Sequence, residues 1–346
     1  MPVTISFTTS LLESHCIIDA RTPLEFAEDH IPGAFNIPLL TNEERVQIGI
    51  IHKQAGPQEA RIRGLEITCS RFGAIVNEIA SCAAGKPIIV YCWRGGMRSR
   101  SVAVLLEATG YDVCQLKGGY KAFREQVTAY FEHFVPPAPL LVLHGMTGVG
   151  KTTFINNLDP DQYSIIDLEG LAKHRGSAFG AVGLAPPPSQ KNFETSLWNQ
   201  FRLAQKEHPI ILEGESQRIG TISLPGNMYD VMSNSAKVWC TASLETRIKR
   251  LSQEYGHKEY QEAMADSLLR IKKKLGGSRY TEMTAMLAAW DIEGLARELI
   301  TNYYDKLYYR HRDWVPDAEL SLEDMERAKD DLSMFQKCFY RRGQKS

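Results

Sequence analysis

The stretch LLVLHGMTGVGKTT (140–153) constrains this chain more than any other. An apolar run suited to a buried strand leads straight into a glycine-rich loop. Gly145, Gly150, Lys151 and Thr152 fit the pattern G-x-x-x-x-G-K-[ST], and KTTFINNL continues as a helix. Strand, tight loop and helix in that order imply a parallel sheet whose crossovers are helices. A second stretch, VYCWRGGMRS (90–99), repeats the arrangement with Cys92 at the head of its loop. A reactive-cysteine loop and a phosphate-cradling loop on one chain point to a covalent cysteine step joined to recognition of a phosphorylated ligand.

At 346 residues the chain suits two domains, each able to bury its own core. No apolar run approaches the roughly 20 residues of a membrane helix, so no membrane partner is expected. MPVTISFTTS lacks the charged start and apolar stretch of a secretory signal. Seven scattered cysteines argue for a reducing cytoplasm rather than a disulfide scaffold. Without a C-x-x-C pair no structural zinc is expected, and no metal ligands are assigned. A net charge of -1 leaves nucleic acid open as a partner, because a basic patch can be local. The candidates are Arg247, Lys249 and Arg250; Lys272, Lys273, Lys274 and Arg279; Arg310 and Arg312; and Arg341, Arg342 and Lys345. Taken singly, each reads as a solvated face.

Strand and helix signals alternate in the first half. CIIDA (16–20), KPIIVYC (86–92) and DVCQL (112–116) read as strands. PLEFAEDH, RFGAIVNEIASC, SRSVAVLLEATG and YKAFREQVTAYFEHF read as helices, with a helical insertion over residues 40–66. The proline-rich VPPAP (135–139) marks a stiff linker. It separates a domain over 1–134 from one over 140–320, with a C-terminal helix and tail over 321–346. In the second domain YSIIDLEG, PIILEGES and AKVWCTAS read as strands, and from about residue 243 the pattern is helical. The last segment opens on a capping-box signal, Ser321 and Asp324.

In the cysteine loop, Gly95 and Gly96 allow the backbone curl that turns amides inward, and a helix begins near Ser99. Arg94 and Arg98 add positive charge, so the loop favours an anion at the sulfur. Cys16, Cys69, Cys82, Cys114, Cys240 and Cys338 read as buried, inert thiols. Cys92 and Arg98 also fit C-x5-R, the spacing of cysteine phosphatases. The flanks favour another family. IIDARTPLEFAEDHIPGAFNIP (17–38) and LKGGYKAF (116–123) resemble the front and end motifs of rhodanese-like sulfurtransferases, and Tyr91 stands where the phosphatases usually carry histidine. That resemblance covers about residues 5–125, apart from the insertion.

In the second loop, amides of residues 146–151 can wrap a diphosphate. Gly145, Gly148, Gly150, Lys151, Thr152 and Thr153 form the phosphate-binding set, and Thr152 is available to a magnesium ion. The acidic position of an ATPase falls to Glu213 or to Asp167, either of which otherwise caps a turn or helix. Ser216 and Arg218 complete a candidate second-domain site.

A rhodanese-like domain followed by this phosphate-loop domain resembles the tRNA 2-selenouridine synthases, as do IIDLEGLAKHRGSAFG (165–180) and ILEGESQRIG (211–220). The resemblance implies an α/β fold: a rhodanese-like parallel-sheet domain, then a P-loop NTPase-like domain with a helical C-terminal region. It implies a transferase acting on wobble 2-thiouridine of the tRNAs for Lys, Glu and Gln. The sulfur is first geranylated from geranyl diphosphate; selenium from selenophosphate then replaces S-geranyl, with Cys92 carrying selenium as a selenyl-sulfide. It implies no tightly bound cofactor and a link to the enzyme that makes selenophosphate. The diphosphate of geranyl diphosphate is assigned here to the phosphate loop. An apolar tail pocket is sought among Met264, Leu268, Leu269, Met283, Met286, Leu287 and Trp290, which at helical spacing equally read as core. YYDKLYYRHRDW (303–314) mixes aromatic and basic residues as RNA-binding segments do, and equally reads as a helix with buried tyrosines. Three alternatives stay open: an ATP-dependent tRNA sulfurtransferase, a cysteine phosphatase fused to an NTPase, and a persulfide-carrying scaffold.

Overall fold

In the first half, short β-branched runs end in turn residues, and the computed structural model turns them into five parallel strands. It describes residues 2–311 and 314–343. The strands are β1 (Val3–Ile5), β2 (Cys16–Asp19), β3 (Phe35–Asn36), β4 (Ile88–Tyr91) and β5 (Val113–Leu116), in the order β1-β5-β4-β2-β3. Every residue of β2 and β4 is buried, as a sheet covered on both faces requires. Ile18, Ile79, Val90, Val102 and Leu106 form the centre of this core. The helix Pro23–Glu28 starts on a complete capping box, Thr22 with Glu25. The expected insertion is two helices, Asn42–Gln54 and Pro57–Thr68, hinged at Gly56 with φ +95°.

This unit comprises Met1–Glu132 and also Ser189–Asn199, a segment from the middle of the second half of the sequence. The segment is most of the helix Gln190–Leu203. Its Trp198 meets Phe123 edge-on, ring centroids 5.5 Å apart, and its Thr195 hydroxyl donates to buried Asp29 at 2.9 Å. No motif in the sequence marks this crossing; the helix reads as an ordinary amphipathic one.

The second unit, His133–Pro188 and Gln200–Ser346, holds β6 (Leu140–Gly145), β7 (Ser164–Ile166), β8 (Ile210–Glu213), a small antiparallel pair β9 (Arg218–Ile219) and β10 (Ile222–Ser223), β11 (Ala236–Thr241) and β12 (Ala318–Ser321). Its parallel sheet runs β12-β11-β6-β8-β7. Strand β12 corrects the sequence reading at the C-terminus. Ser321 does not cap the last helix but ends a strand paired with Thr241, and Leu320 drops into the core. The helix Met325–Gly343 is capped by Asp324 alone, whose carboxylate accepts from the amides of Glu326 and Arg327. The expected helical region is present between β11 and β12. It includes the helices Leu244–Tyr255, Gln261–Leu275, Gly277–Ala289 and Ile292–Leu299, then a π-helical turn at Ile300–Tyr304. Among the described residues no helix is long and apolar enough to cross a membrane.

Candidate active site: two loops

Strand β4 delivers Cys92 into the first loop, where the residue is 3% exposed. Two donors reach its sulfur: the Gly96 amide at 3.2 Å and the Ser99 hydroxyl at 3.1 Å. Gln115, a polar residue in the otherwise apolar β5, fixes that hydroxyl. Its Nε2 donates to Ser99 Oγ at 2.8 Å and to the carbonyls of Gly95 and Gly96 at 2.9 and 3.1 Å. With the Ser99 oxygen accepting from Gln115, its single proton has two acceptors in reach, the sulfur at 3.1 Å and the Gly96 carbonyl at 3.2 Å. Gln115 was not picked out from the sequence, although a buried amide at a strand end is a signal of its own.

The arginines behave otherwise than expected. Arg98 is held by Glu25 at 2.5 and 3.1 Å, and Arg94 is exposed; the two donors to the sulfur are neutral. Although burial works against the charged form, Arg98 keeps the Glu25 carboxyl below its ordinary value. The Asp-x-Arg pair is structural: buried Arg21 grips Asp19 at 2.6 Å, donates to the Asp29 carbonyl at 2.7 Å and lies 4.0 Å from the Tyr120 ring centre. The remaining cysteines are not uniformly buried. Cys16 and Cys240 are, and burial pushes the Cys240 thiol up to about 12. Cys82 and Cys114 are half-buried and Cys69 is exposed, while the Cys338 side chain lies outside the described residues.

The second loop follows β6. Gly148 and Gly150 take φ +79° and +89°, which favours glycine, and at Gly145 a methyl would fall 2.7 Å from the Cys240 carbonyl. Lys151 Nζ donates to the Gly145 carbonyl at 3.2 Å. Burial disfavours its charge, yet Tyr308 and the carboxylates of Glu215, Glu169 and Glu213 hold it above the ordinary ammonium value. Glu213 ends β8 fully buried, and Thr152 Oγ1 lies 2.5 Å from its carboxylate and 3.0 Å from that of Glu169. One hydroxyl carries one proton, so the second contact needs a proton on a carboxyl group. Burial holds both carboxyls well above the usual carboxylate range, helped at Glu213 by the charges of Glu169 and Asp167 and at Glu169 by that of Glu215, which supplies it.

The four second-domain candidates therefore separate. Glu213 reaches Thr152. Asp167 caps the helix Leu168–Ala172, its carboxylate accepting from the Gly170 amide at 2.7 Å. Ser216 hydrogen-bonds the Arg218 carbonyl, and both side chains sit exposed around the β9–β10 pair. The loop opens on a cavity of about 550 Å³, whose further walls include Glu169, Glu215, Arg175, Arg250, Tyr255 and Tyr308. Glu169 and Glu215 were not singled out, although both lie in the IIDLEG and EGES stretches that carry the family resemblance. The cluster 247–250 is also no solvated face. Arg247 is 3% exposed, paired with Asp305 at 2.6 Å and bound to the Thr147 carbonyl at 2.9 Å, while Arg250 donates to the Val149 carbonyl at 2.5 Å. Both brace the loop through its carbonyls, Arg250 from within the cavity wall.

The sought tail pocket is mostly core. Met264, Leu268, Met283 and Leu287 are buried together, and Leu269 is 56% exposed. Only Met264 reaches a narrow apolar recess, about 40 Å³, beside Leu251, Tyr255 and Leu295. Of the aromatic–basic segment, Tyr303 and Tyr304 are buried and Tyr308 faces the cavity; the side chains of 309–313 lie outside the described residues.

Comparison with known proteins agrees with both halves. Residues 8–126 match the rhodanese-like domain, and residues 138–328 match the tRNA 2-selenouridine synthase AAA domain. Similar proteins include the tRNA 2-selenouridine synthase of Hydrogenovibrio crunogenus, 34% identical over 89% of this chain and 92% of that one. Those of Shewanella loihica (33%; 86% and 87%) and Pseudomonas fluorescens (34%; 87% and 90%) are alike. With a donor-lined cysteine loop, a carboxylate-backed phosphate loop and near full-length similarity, the chain belongs to the tRNA 2-selenouridine synthase family.

Proposed function

We propose that this chain, acting in the cytoplasm, converts wobble 2-thiouridine in the tRNAs for Lys, Glu and Gln to 2-selenouridine through S-geranyl-2-thiouridine. The observation that carries the reading is the pairing of two unlike cradles on one chain: a sulfur held by neutral donors and a cavity built around Lys151 and Thr152. In the first reaction the thiocarbonyl sulfur attacks C1 of geranyl diphosphate, the C–O bond breaks, diphosphate leaves and the N3 proton is lost. Lys151 and the amides of the phosphate loop meet the charge growing on the leaving oxygen, where stabilisation acts on rate. In the second, selenium forms a bond to C2 and geranylthiol leaves. Water takes the phosphorus of selenophosphate to phosphate, and the net exchange is redox-neutral. Geranylation gives the sulfur the form of a thiol leaving group. Cys92 carries the selenium as a selenyl-sulfide: forming that S–Se bond from selenide-level selenium takes a two-electron oxidant, and a thiol reductant returns both electrons when the bond breaks on delivery. Thr152 and Glu213 offer the hard oxygen donors that magnesium takes; they would hold an ion brought in with a diphosphate, which would neutralise the leaving group.

The test is reconstitution with thiolated tRNA. Geranyl diphosphate alone yields S-geranyl-2-thiouridine on nucleoside mass spectrometry, and adding selenophosphate yields 2-selenouridine. Sulfur or selenium insertion that depends on ATP and ignores the isoprenoid sinks the proposal in favour of an ATP-driven transferase.

A further inference from the structure

The cations singled out in the sequence do not share one environment. Lys272 lies over the Tyr280 ring, 4.8 Å from its centre. Arg270 and Lys274, one turn apart on the helix Gln261–Leu275, lie on one face because residues four apart in a helix are neighbours. Together they line a second cavity, about 850 Å³, whose walls also carry Lys173.

Four properties set this cavity apart. Its walls hold Lys173, Arg270 and Lys274 and include no aspartate or glutamate, in contrast to the phosphate-loop cavity with Glu169, Glu215 and Glu254. Lys173 and Lys274 make no ion pair with any described residue, and Arg270 donates to the Ser267 hydroxyl at 2.6 Å. The π-helical turn at Ile300–Tyr304 places Tyr303 and Tyr304 in its wall, with Tyr308 one turn further on. Finally, Thr147, Gly176, Ser177 and Tyr308 line both cavities, so the two adjoin. Burial, then the charges of Arg270 and Arg175, hold His174 in the wall below the ordinary imidazole value.

Uncompensated cations around a tyrosine wall match a chain of phosphates carrying flat bases. We infer that this cavity is the entrance for a looped, single-stranded segment of RNA. Lys173, Arg270 and Lys274 take its phosphates, and the segment passes one base by way of Tyr308 and Ser177 to the face of Lys151. The inference rests on the proposed function for the RNA being a tRNA. The walls supply no base-edge code of their own, so the cavity positions the strand and leaves choice of base to the deeper site.

The experiment uses the full chain and a fluorescent, thiolated anticodon stem-loop RNA. Anisotropy is measured across a salt series for the wild type and for the triple variant K173E/R270E/K274E, with inorganic diphosphate binding by calorimetry alongside. The expected result is an affinity at least about thirtyfold weaker, with diphosphate binding unchanged. The log–log salt slope should fall by about 2, three contacts at roughly 0.7 each for single strands. Should the triple variant lose diphosphate binding as well, the single variants Lys173→Gln, Arg270→Gln and Lys274→Gln replace it, each expected to lower the slope by about 0.7. Wild-type affinity and slope in these variants overturn the entrance and leave the proposed function standing. Failure of the wild type to bind the stem-loop at all overturns both.

Discussion

The cysteine loop and the phosphate loop share one plan, a buried parallel strand feeding a glycine turn and then a helix, yet they are finished in opposite ways. Around Cys92 the donors are neutral: an amide, a hydroxyl and behind it a carboxamide, with the nearby charge of Arg98 cancelled by Glu25. Around Lys151 the setting is charged, one ammonium facing Glu169, Glu213 and Glu215. The difference teaches that glycine curvature makes only the bowl. What lines it decides whether the bowl suits a soft, polarisable atom, which neutral donors can follow, or a hard polyanion, whose arrival must be balanced by fixed charge and by protons.

The largest expected effect breaks the pairing outright. Cys92→Ser should lower 2-selenouridine by about three orders of magnitude or more, the scale on which losing a nucleophile acts. Geranylation should proceed, so S-geranyl-2-thiouridine accumulates on mass spectrometry. Plain 2-thiouridine in its place refutes the division of labour. Next, Lys151→Ala should slow geranyl transfer by about 10²–10³-fold, as removing one stabiliser of a developing charge does, and leave selenium loading of Cys92 intact. Equal loss in both assays means the two loops are not separate.

A smaller effect sharpens the contrast on the cysteine side. Ser99→Ala removes a donor at 3.1 Å and should slow alkylation of Cys92 by iodoacetamide about tenfold at neutral pH, the size of one hydrogen bond to a charged group. Arg94→Ala, at an exposed residue, should leave the rate within about twofold by the same measure. The reverse ranking would restore the guanidinium groups as the sulfur's partners.

On the other side the carboxyls set a pH dependence. Glu213 and Glu169 are pushed up to about 8 from an ordinary 4.5, so the folded state binds more protons than the unfolded one between those values. Stability from this source is full below the unfolded value and is lost as pH rises through 8. Hydrogen exchange in β8 should therefore quicken, beyond its intrinsic pH trend, from pH 6 to 9, more than in β4. Glu213→Gln should flatten that difference. Smallest, Asp324→Ala removes the sole side-chain cap of the last helix and should cost about 1 kcal/mol in the second domain only, read as a lower urea midpoint for that transition.

Much of this plan was legible in the sequence because it is carried by local signals. CIIDA, KPIIVYC and LLVLH are short apolar runs with few ways to be buried, and the glycine spacing of both loops is readable residue by residue. What was not legible depends on partners distant in sequence. Ser321 reads as a helix cap from its neighbours, yet the open edge of β11 takes it as a strand end. Arg247 and Arg250 read as surface until the loop carbonyls 100 and 101 residues away claim them. Glu169 shows its role only when Thr152, 17 residues earlier, comes within 3.0 Å. The arginines beside Cys92 were misjudged for the same reason, since Glu25 lies 73 residues from Arg98.

The Gly118–Gly119 turn at the end of β5 carries a further consequence. A methyl at Gly119 would fall 2.2 Å from the Cys92 carbonyl oxygen and 2.5 Å from the Gly95 nitrogen, and one at Gly95 would fall 2.7 Å from the Leu116 carbonyl. Loop and turn are thus clamped main chain to main chain, with no side chain between them. A clamp of this kind has no rotamer to switch and no proton to gain or lose. The main chain that carries Cys92 is therefore held the same way whatever the acidity and whatever atom its sulfur bears.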